Sequence, residues 1–323
     1  MKKLVFSALA LCAMTLSSVA QTSISFGGPA YTQNFDALGA PAAAALPADW
    51  RLGTTTGVRV VGDFATAATS TTYAAGNNMS SAIATNPAGN YRFNANNNTA
   101  ESAIGHRLRS GTGTPRTGNA YKHFVNSGAA ITSLDIAYDI EKYKQGTHAP
   151  GFSMVLFYST DGVNWTAAGA PFNTVLPADA TNNGYPVAPG TSTSVSGTFV
   201  LPTSIPNGQD FYLCWSWSGA TGTSFGNIQC AGIDNVNINV SGACTTPVDP
   251  TSVAAASADS QADLSWVNDA CADEVLIVAG TSSISFAPTG DGTAYTANAA
   301  YGSGTDLGGG NYVVYKGLGR AFR

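Results

Sequence analysis

Residues 131–143 read ITSLDIAYDIEKY. Leu134, Ile136, Tyr138 and Ile140 alternate there with Asp135, Ala137, Asp139 and Glu141. In an extended chain, side chains two apart point the same way, so this stretch predicts a strand with an apolar face and an acidic face. Similar runs lie on either side: 22–26 (TSISF), 57–61 (GVRVV), 152–158 (FSMVLFY), 195–201 (VSGTFVL), 211–217 (FYLCWSW) and 232–240 (GIDNVNINV). Asp161-Gly162 sits between FYS and VNW, a strong hairpin signal. Helical periodicity over eleven or more residues is absent. The Ala-rich stretch 37–48 is broken by Pro41 and Pro47, which predicts loop or one short turn. Residues 65–102, rich in Asn, Ala and Thr, read as long loops with short strands. The fold expected is all-β, a two-sheet antiparallel sandwich.

Composition supports that class. Of 323 residues, 44% are hydrophobic and 10% charged, against about 25% charged in an average soluble domain. This excludes a coiled coil, a helical bundle and a charge-rich disordered tail. Lys plus Arg is 14 and Asp plus Glu is 19, a net charge of −5, which argues against an electrostatic nucleic-acid binder. Lys2 and Lys3 precede an apolar run at 4–16, and Ser18-Val19-Ala20 puts small residues at a cleavage site. Residues 1–20 therefore read as a signal peptide cut before Gln21, and the protein as secreted or displayed at the cell surface. No later segment approaches the ~18–20 apolar residues of a membrane-spanning helix.

The strand pattern divides the chain further. SGACTTPVDP (241–250) interrupts it with two prolines, so 21–241 reads as one module, 242–250 as a linker and 251–323 as a second. SVAAASADS, QADLSWV, DEVLIVAG and NYVVYKG follow, with a buried-looking Trp266, as in a small immunoglobulin-like sandwich. Cys214, Cys230, Cys244 and Cys271 make an even count beyond the signal peptide. In an exported chain this suggests two disulfides. The pairing favoured is Cys244–Cys271, with Cys214–Cys230 closing the end of the first module; four free thiols are the alternative. With no CxxC or Cys/His cluster, a zinc site is not expected.

The order YTQNFDALG (31–39), LPADW (46–50), ESAIGHRLRSG (101–111), ITSLDIAYDIEKYKQG (131–146), VLFYSTDGVNW (155–165) and GIDNVNINV (232–240) resembles the jelly-roll, carbohydrate-binding-like module of secreted multi-modular bacterial proteins of Bacteroidetes type. Glu141-Lys142-Tyr143-Lys144 stands where that family carries Glu-Gln-Trp-Arg, and Asn235 replaces its second Asp. Residues 245–323 resemble a fibronectin type III module that stops where its last two strands should follow, so it is expected to be truncated. The resemblance implies a jelly-roll fold. It also implies a structural Ca²⁺ that clips the N-terminal segment to the last strand, for which Asp36 and Asp234 are the candidates; the plainer alternative is that Asp234 accepts backbone N–H bonds at a strand end and Asp36 stabilises an Asx turn. No other cofactor is expected.

Few residues suggest chemistry. Asp139 and Glu141 share a strand face at about 6.6–6.8 Å, near the separation of a glycosidase pair; the plainer account is a solvated face balanced by Lys142 and Lys144. His106, His123 and His148 stand far apart in sequence. Ser159–Trp165 resembles an Asp-box hairpin, in which the Asp caps the turn. Trp215 and Trp217 share a face and could stack on a sugar. Phe211 and Leu213 lie on that same face, which favours the core. Trp50 and Tyr143 complete the candidate ligand contacts. The function expected is that of an exported, non-catalytic binding or display protein recognising a glycan or cell-surface component. The alternatives are the targeting portion of a larger secreted hydrolase or nuclease, and a structural adhesin.

Overall fold

A computed structural model describes residues 21–80, 82, 84–94, 101–111, 113–221, 226–241, 250–258, 261–268, 274–284, 294–317, 319, 321 and 322. The signal peptide, Cys244, Cys271 and the linker up to residue 249 lie outside them. The described residues form strands and two single 3-10 turns, Asp36–Leu38 and Phe64–Thr66. The strands up to Ser241 are β1 (Ser23–Ile24), β2 (Tyr31–Gln33), β3 (Trp50–Thr55), β4 (Tyr73–Ala75), β5 (Gly89–Asn94), β6 (Ser102–Arg107), β7 (Thr117–Asn126), β8 (Ile131–Lys144), β9 (Phe152–Ser159), β10 (Thr166–Ala167), β11 (Asn173–Leu176), β12 (Thr191–Ile205), β13 (Asp210–Gly219) and β14 (Cys230–Ser241).

They build two seven-stranded sheets. One runs β1-β7-β13-β9-β10, with β3 also on β7 and β11 on β9; the other runs β12-β8-β14-β6-β5-β4, with β2 also on β14. Among the described residues only β1–β7 and β4–β5 are parallel pairs. From β6 to β9, and again from β12 to β14, each strand crosses to the opposite sheet. That alternation is the winding of a jelly roll. The fold is therefore an all-β sandwich.

The apolar face of β8 supplies Leu134, Ile136, Tyr138 and Ile140 to the space between the sheets. Phe211, Leu213, Trp215 and Trp217 of β13 meet them from the other side. Trp50 stacks on Trp215 at 5.3 Å, Tyr138 meets Trp215 edge-on at 5.8 Å, and Phe152 stacks on Trp217 at 5.4 Å. Burying each such ring stabilises the fold by roughly 1.5–3 kcal/mol. A second apolar layer lies on the outer face of the β8 sheet. There Tyr91, Phe93 and Tyr143 stack in a row, 5.3 and 4.4 Å apart, against Met79, Ala188 and Cys230. Trp50, Trp215, Trp217 and Tyr143 are thus all buried. None of these four expected sugar contacts is presented to solvent, because both faces of their strands are covered.

Two further expectations are corrected. Cys214 and Cys230 are free and buried, with no disulfide between them. Cys214 lies on the face of β13 turned away from the core, and Cys230 in the layer outside the other sheet. Stacked sheets are about 10 Å apart, beyond the reach of a disulfide. Residues 57–61 form a loop rather than a strand. Arg59 takes a left-handed backbone there (φ 55°). Its guanidinium donates to the carbonyls of Ser153, Ser216, Ser218 and Gly219, which ties the loop across the ends of β9 and β13.

Beyond residue 250, β15 (Thr251–Ala258), β16 (Gln261–Val267) and β19 (Ala321–Phe322) form one antiparallel sheet, and β17 (Val275–Gly280) and β18 (Asn311–Gly317) another. Trp266 of β16 is buried and meets Tyr315 of β18 edge-on at 5.6 Å, so the two small sheets face one another.

Candidate functional site

Strand β8 carries the chemistry. Its outward residues fall into two groups, a polar half around Asp135–Asp139 and a carboxylate cage at Glu141.

In the cage, ligand oxygens of Glu101, Glu141 and Asp234 all lie within 4.8 Å of one another. Among the described residues it is the one cluster of three or more metal-ligating side chains. Antiparallel pairing of β14 with both β8 and β6 brings the three together. Asp234 is 3% exposed and Glu141 5%. Asp234 Oδ1 and both Glu101 carboxylate oxygens accept from no amide or hydroxyl among the described residues, and the Glu101 and Glu141 carboxyls lie within hydrogen-bonding reach of each other. The Tyr143 hydroxyl donates to Glu141 Oε2 at 2.6 Å. Burial first, and then mutual repulsion, push Asp234 up to about 8 and Glu141 to about 7; Glu101 is raised as well. Asp36 adds negative charge from the adjoining turn. Its Oδ1 accepts the Ser102 N–H at 3.0 Å, and its Oδ2 accepts from the Asn34 amide. Of the two expected ligands, Asp234 stands in the cage and Asp36 beside it. Buried carboxylate oxygens without donors are what a hard cation takes. The cage fits a divalent ion held by Glu101, Glu141 and Asp234.

The polar half is open to solvent. A bulge between Asp234 and Asn237 puts Asn235 in a left-handed conformation (φ 48°). Such a bulge re-aims the side chains on either side of it. Beyond it Asn235, Asn237 and Asn239 point outward. In register on β8 and β12 stand Asp139 and Ser194, Ala137 and Ser196, and Asp135 and Thr198. Asp139 accepts from Ser194 at 2.6 Å and from Asn235 at 3.0 Å, and Asp135 accepts from Thr198 at 2.6 Å. Two shallow grooves cross this face, of about 360 Å³ beside β2 and about 240 Å³ over Ala137 and Gly197. Asn237 lines both.

Asp139 and Glu141 are therefore not a matched pair. One is bound to neighbours on the open face, and the other is buried in the cage. The histidines are not gathered either. His106 is sealed between the sheets, where burial lowers it to about 3. His123 Nε2 lies 2.8 Å from Asp210 on the outside of β7, and His148 packs near Phe152. In the β9–β10 hairpin Asp161 accepts from Val163 N, Asn164 N and the Ser159 hydroxyl, which is the capping geometry expected there. Glu101 and the asparagine row escaped the sequence reading. Glu101 joins the cage only through strand pairing. The asparagines line up with the β12 hydroxyls only through the register of β14 after its bulge.

Among the described residues no helix is long and apolar enough to cross a membrane. No protein-family model matches the chain, and no curated protein matches it. Among solved structures it is similar to a cleaved adhesin domain of Lys-gingipain from Porphyromonas gingivalis, at 14% identity and a TM-score of 0.33, covering 67% of this chain and 100% of that one. It is also similar to a xylan-binding domain from Paenibacillus barcinonensis (11%, TM-score 0.31, 65% and 99% covered). A third is the Caldicellulosiruptor saccharolyticus CBM27-1 in complex with mannohexaose (13%, TM-score 0.30, 67% and 100% covered).

Proposed function

We infer that the chain is an exported, non-catalytic binding module that recognises a neutral glycan through the polar face of β8, β12 and β14, braced by Ca²⁺ in the carboxylate cage. One observation carries the reading: three cross-strand rows of hydroxyl, amide and carboxylate groups, held rigid in a sheet and open to solvent. A sugar offers a hydroxyl at nearly every carbon, each both donor and acceptor. Ser, Thr and Asn side chains match that chemistry, and Asp135 and Asp139 supply strong acceptors. Sheet geometry repeats these groups about every 4.8 Å across strands and 6.7 Å along them, so they present a fixed lattice rather than mobile chains.

The buried cage supports the same reading. Glu141 and Asp234 are covered by the fold, so their chemistry serves to hold β14, β8 and the segment before β6 together. The cation would stabilise the sheet that carries the face and would take no part in a reaction. A glycan array probed with the whole chain tests the reading. Binding is expected to a set of neutral oligosaccharides sharing one backbone linkage, and to weaken at least tenfold for Asn237→Ala. An array without a bound neutral glycan overturns it.

A further inference from the structure

At the end of β6 and β8, away from the polar face, a cleft of about 320 Å³ is lined by Arg107, Arg109 and Lys144, with Ser110 and Asn227 beside them and Leu108 and Ile228 as apolar wall. We propose that this cleft is a second ligand site, specific for an oxyanion: the carboxylate of a uronic acid or the sulfate ester of an acidic polysaccharide.

Three observations lead there. First, three cationic side chains converge on one concavity in a chain whose net charge is −5, and none of the described residues lining it is acidic. Second, the cleft is built rather than incidental. Lys144 is 3% exposed, and its Nζ donates to the carbonyls of Gln145 at 2.8 Å and Ile228 at 2.9 Å. An ammonium has three protons, so among the described residues one donor remains on a side chain fixed in place by the other two. Arg107 is buried beside it and Arg109 is exposed at the rim. Third, burial lowers the Lys144 pKa and Arg107 adds to this, while Cys230 and Asp179 oppose it; an anion seated in the cleft eases the repulsion between the two cations. Guanidinium forks match a planar carboxylate or a sulfate, while Leu108 and Ile228 suit the C–H face of a sugar ring.

Three cations in one cleft bind a point charge rather than a strand of phosphates. A nucleic acid needs a track of many contacts. Five residues of extended strand, about 17 Å, separate Asp139 at the near end of the polar face from Lys144, so the two sites do not overlap.

Affinity electrophoresis of the whole chain in gels containing polygalacturonate, dextran sulfate or neutral dextran tests the proposal. Retardation by at least one of the two polyanions is expected, and the one that retards identifies the oxyanion. It should weaken at least fivefold for Arg109→Ala, whose exposed side chain can be removed without disturbing the fold, and be unchanged for Asn237→Ala on the polar face. Retention should also fall between about 0.05 and 0.2 M salt. The proposal is overturned if neither polyanion retards the chain, if Arg109→Ala retains full retardation, or if single-stranded DNA at equal charge retards it as strongly.

Discussion

Lys122 of β7 is fully buried. Its Nζ donates to the Thr22 hydroxyl at 2.6 Å and the Ala48 carbonyl at 2.9 Å, and sits over the rings of Tyr31 and Phe124 at 4.8 and 5.0 Å. Burial lowers its pKa to about 7, although Asp49 pulls the other way. The folded chain therefore releases this proton near pH 7, while the unfolded chain holds it to about 10.4. Between those values the unfolded state binds more protons, so stability rises with pH. Relative to Lys122→Met, the wild type should gain stability from about pH 7 to pH 10, measured by urea denaturation; parallel curves would contradict the assignment. Little at this scale was legible beforehand. Alternation shows that Trp215 and Trp217 share a face with Phe211 and Leu213, which is enough to suspect core. It does not show that β3 lays Trp50 over Trp215, or that loops cover the outer face carrying Tyr143. An aromatic reads the same whether its uncovered side meets solvent or another loop.

At the scale of the element, β8 was legible and its partners were not. The alternation in 131–143 foretells an apolar inner face and an acidic outer one, and the strand has both. What the acidic face becomes depends on register. Asp139 meets Ser194 and Asn235, and Glu141 meets Glu101 and Asp234, because β14 gains one residue at its bulge. A pattern within one strand cannot report a register set by another. Residues 65–102, read as loop with short strands, do contain the short strands β4 and β5 and the first residue of β6. The proposed Ca²⁺ is tested at this scale. A ligand that binds only the folded chain stabilises by about 2.7 kcal/mol at one hundred times its Kd. In a chain of this size that raises Tm by roughly 5–10 °C. Millimolar Ca²⁺ should raise Tm over excess EGTA by that amount, and Asp234→Asn should abolish the rise. Equal melting temperatures in Ca²⁺ and EGTA would remove the ion from the cage.

For the whole molecule, fold class followed from composition and period: few charges, no helical repeat, and many short runs broken by Gly, Pro and Asn. The winding did not, since only the pairing of strands in the folded chain shows them crossing between sheets. The pairing of Cys214 with Cys230 failed at this scale too, because proximity in sequence says nothing of which side of a sandwich a strand faces. Both thiols should resist alkylation in the folded chain and react fully in denaturant without reductant; failure to react there would mean that they are oxidised.

In the function proposed, the outward face of β8, β12 and β14 binds sugar, separately from the cationic cleft. Isothermal titration calorimetry with the tightest neutral oligosaccharide from the array tests it most directly, comparing the wild type with Asn237→Ala and Arg109→Ala. Binding is expected to be at least tenfold weaker for Asn237→Ala and unchanged for Arg109→Ala. Equal affinity in the wild type and Asn237→Ala would contradict it.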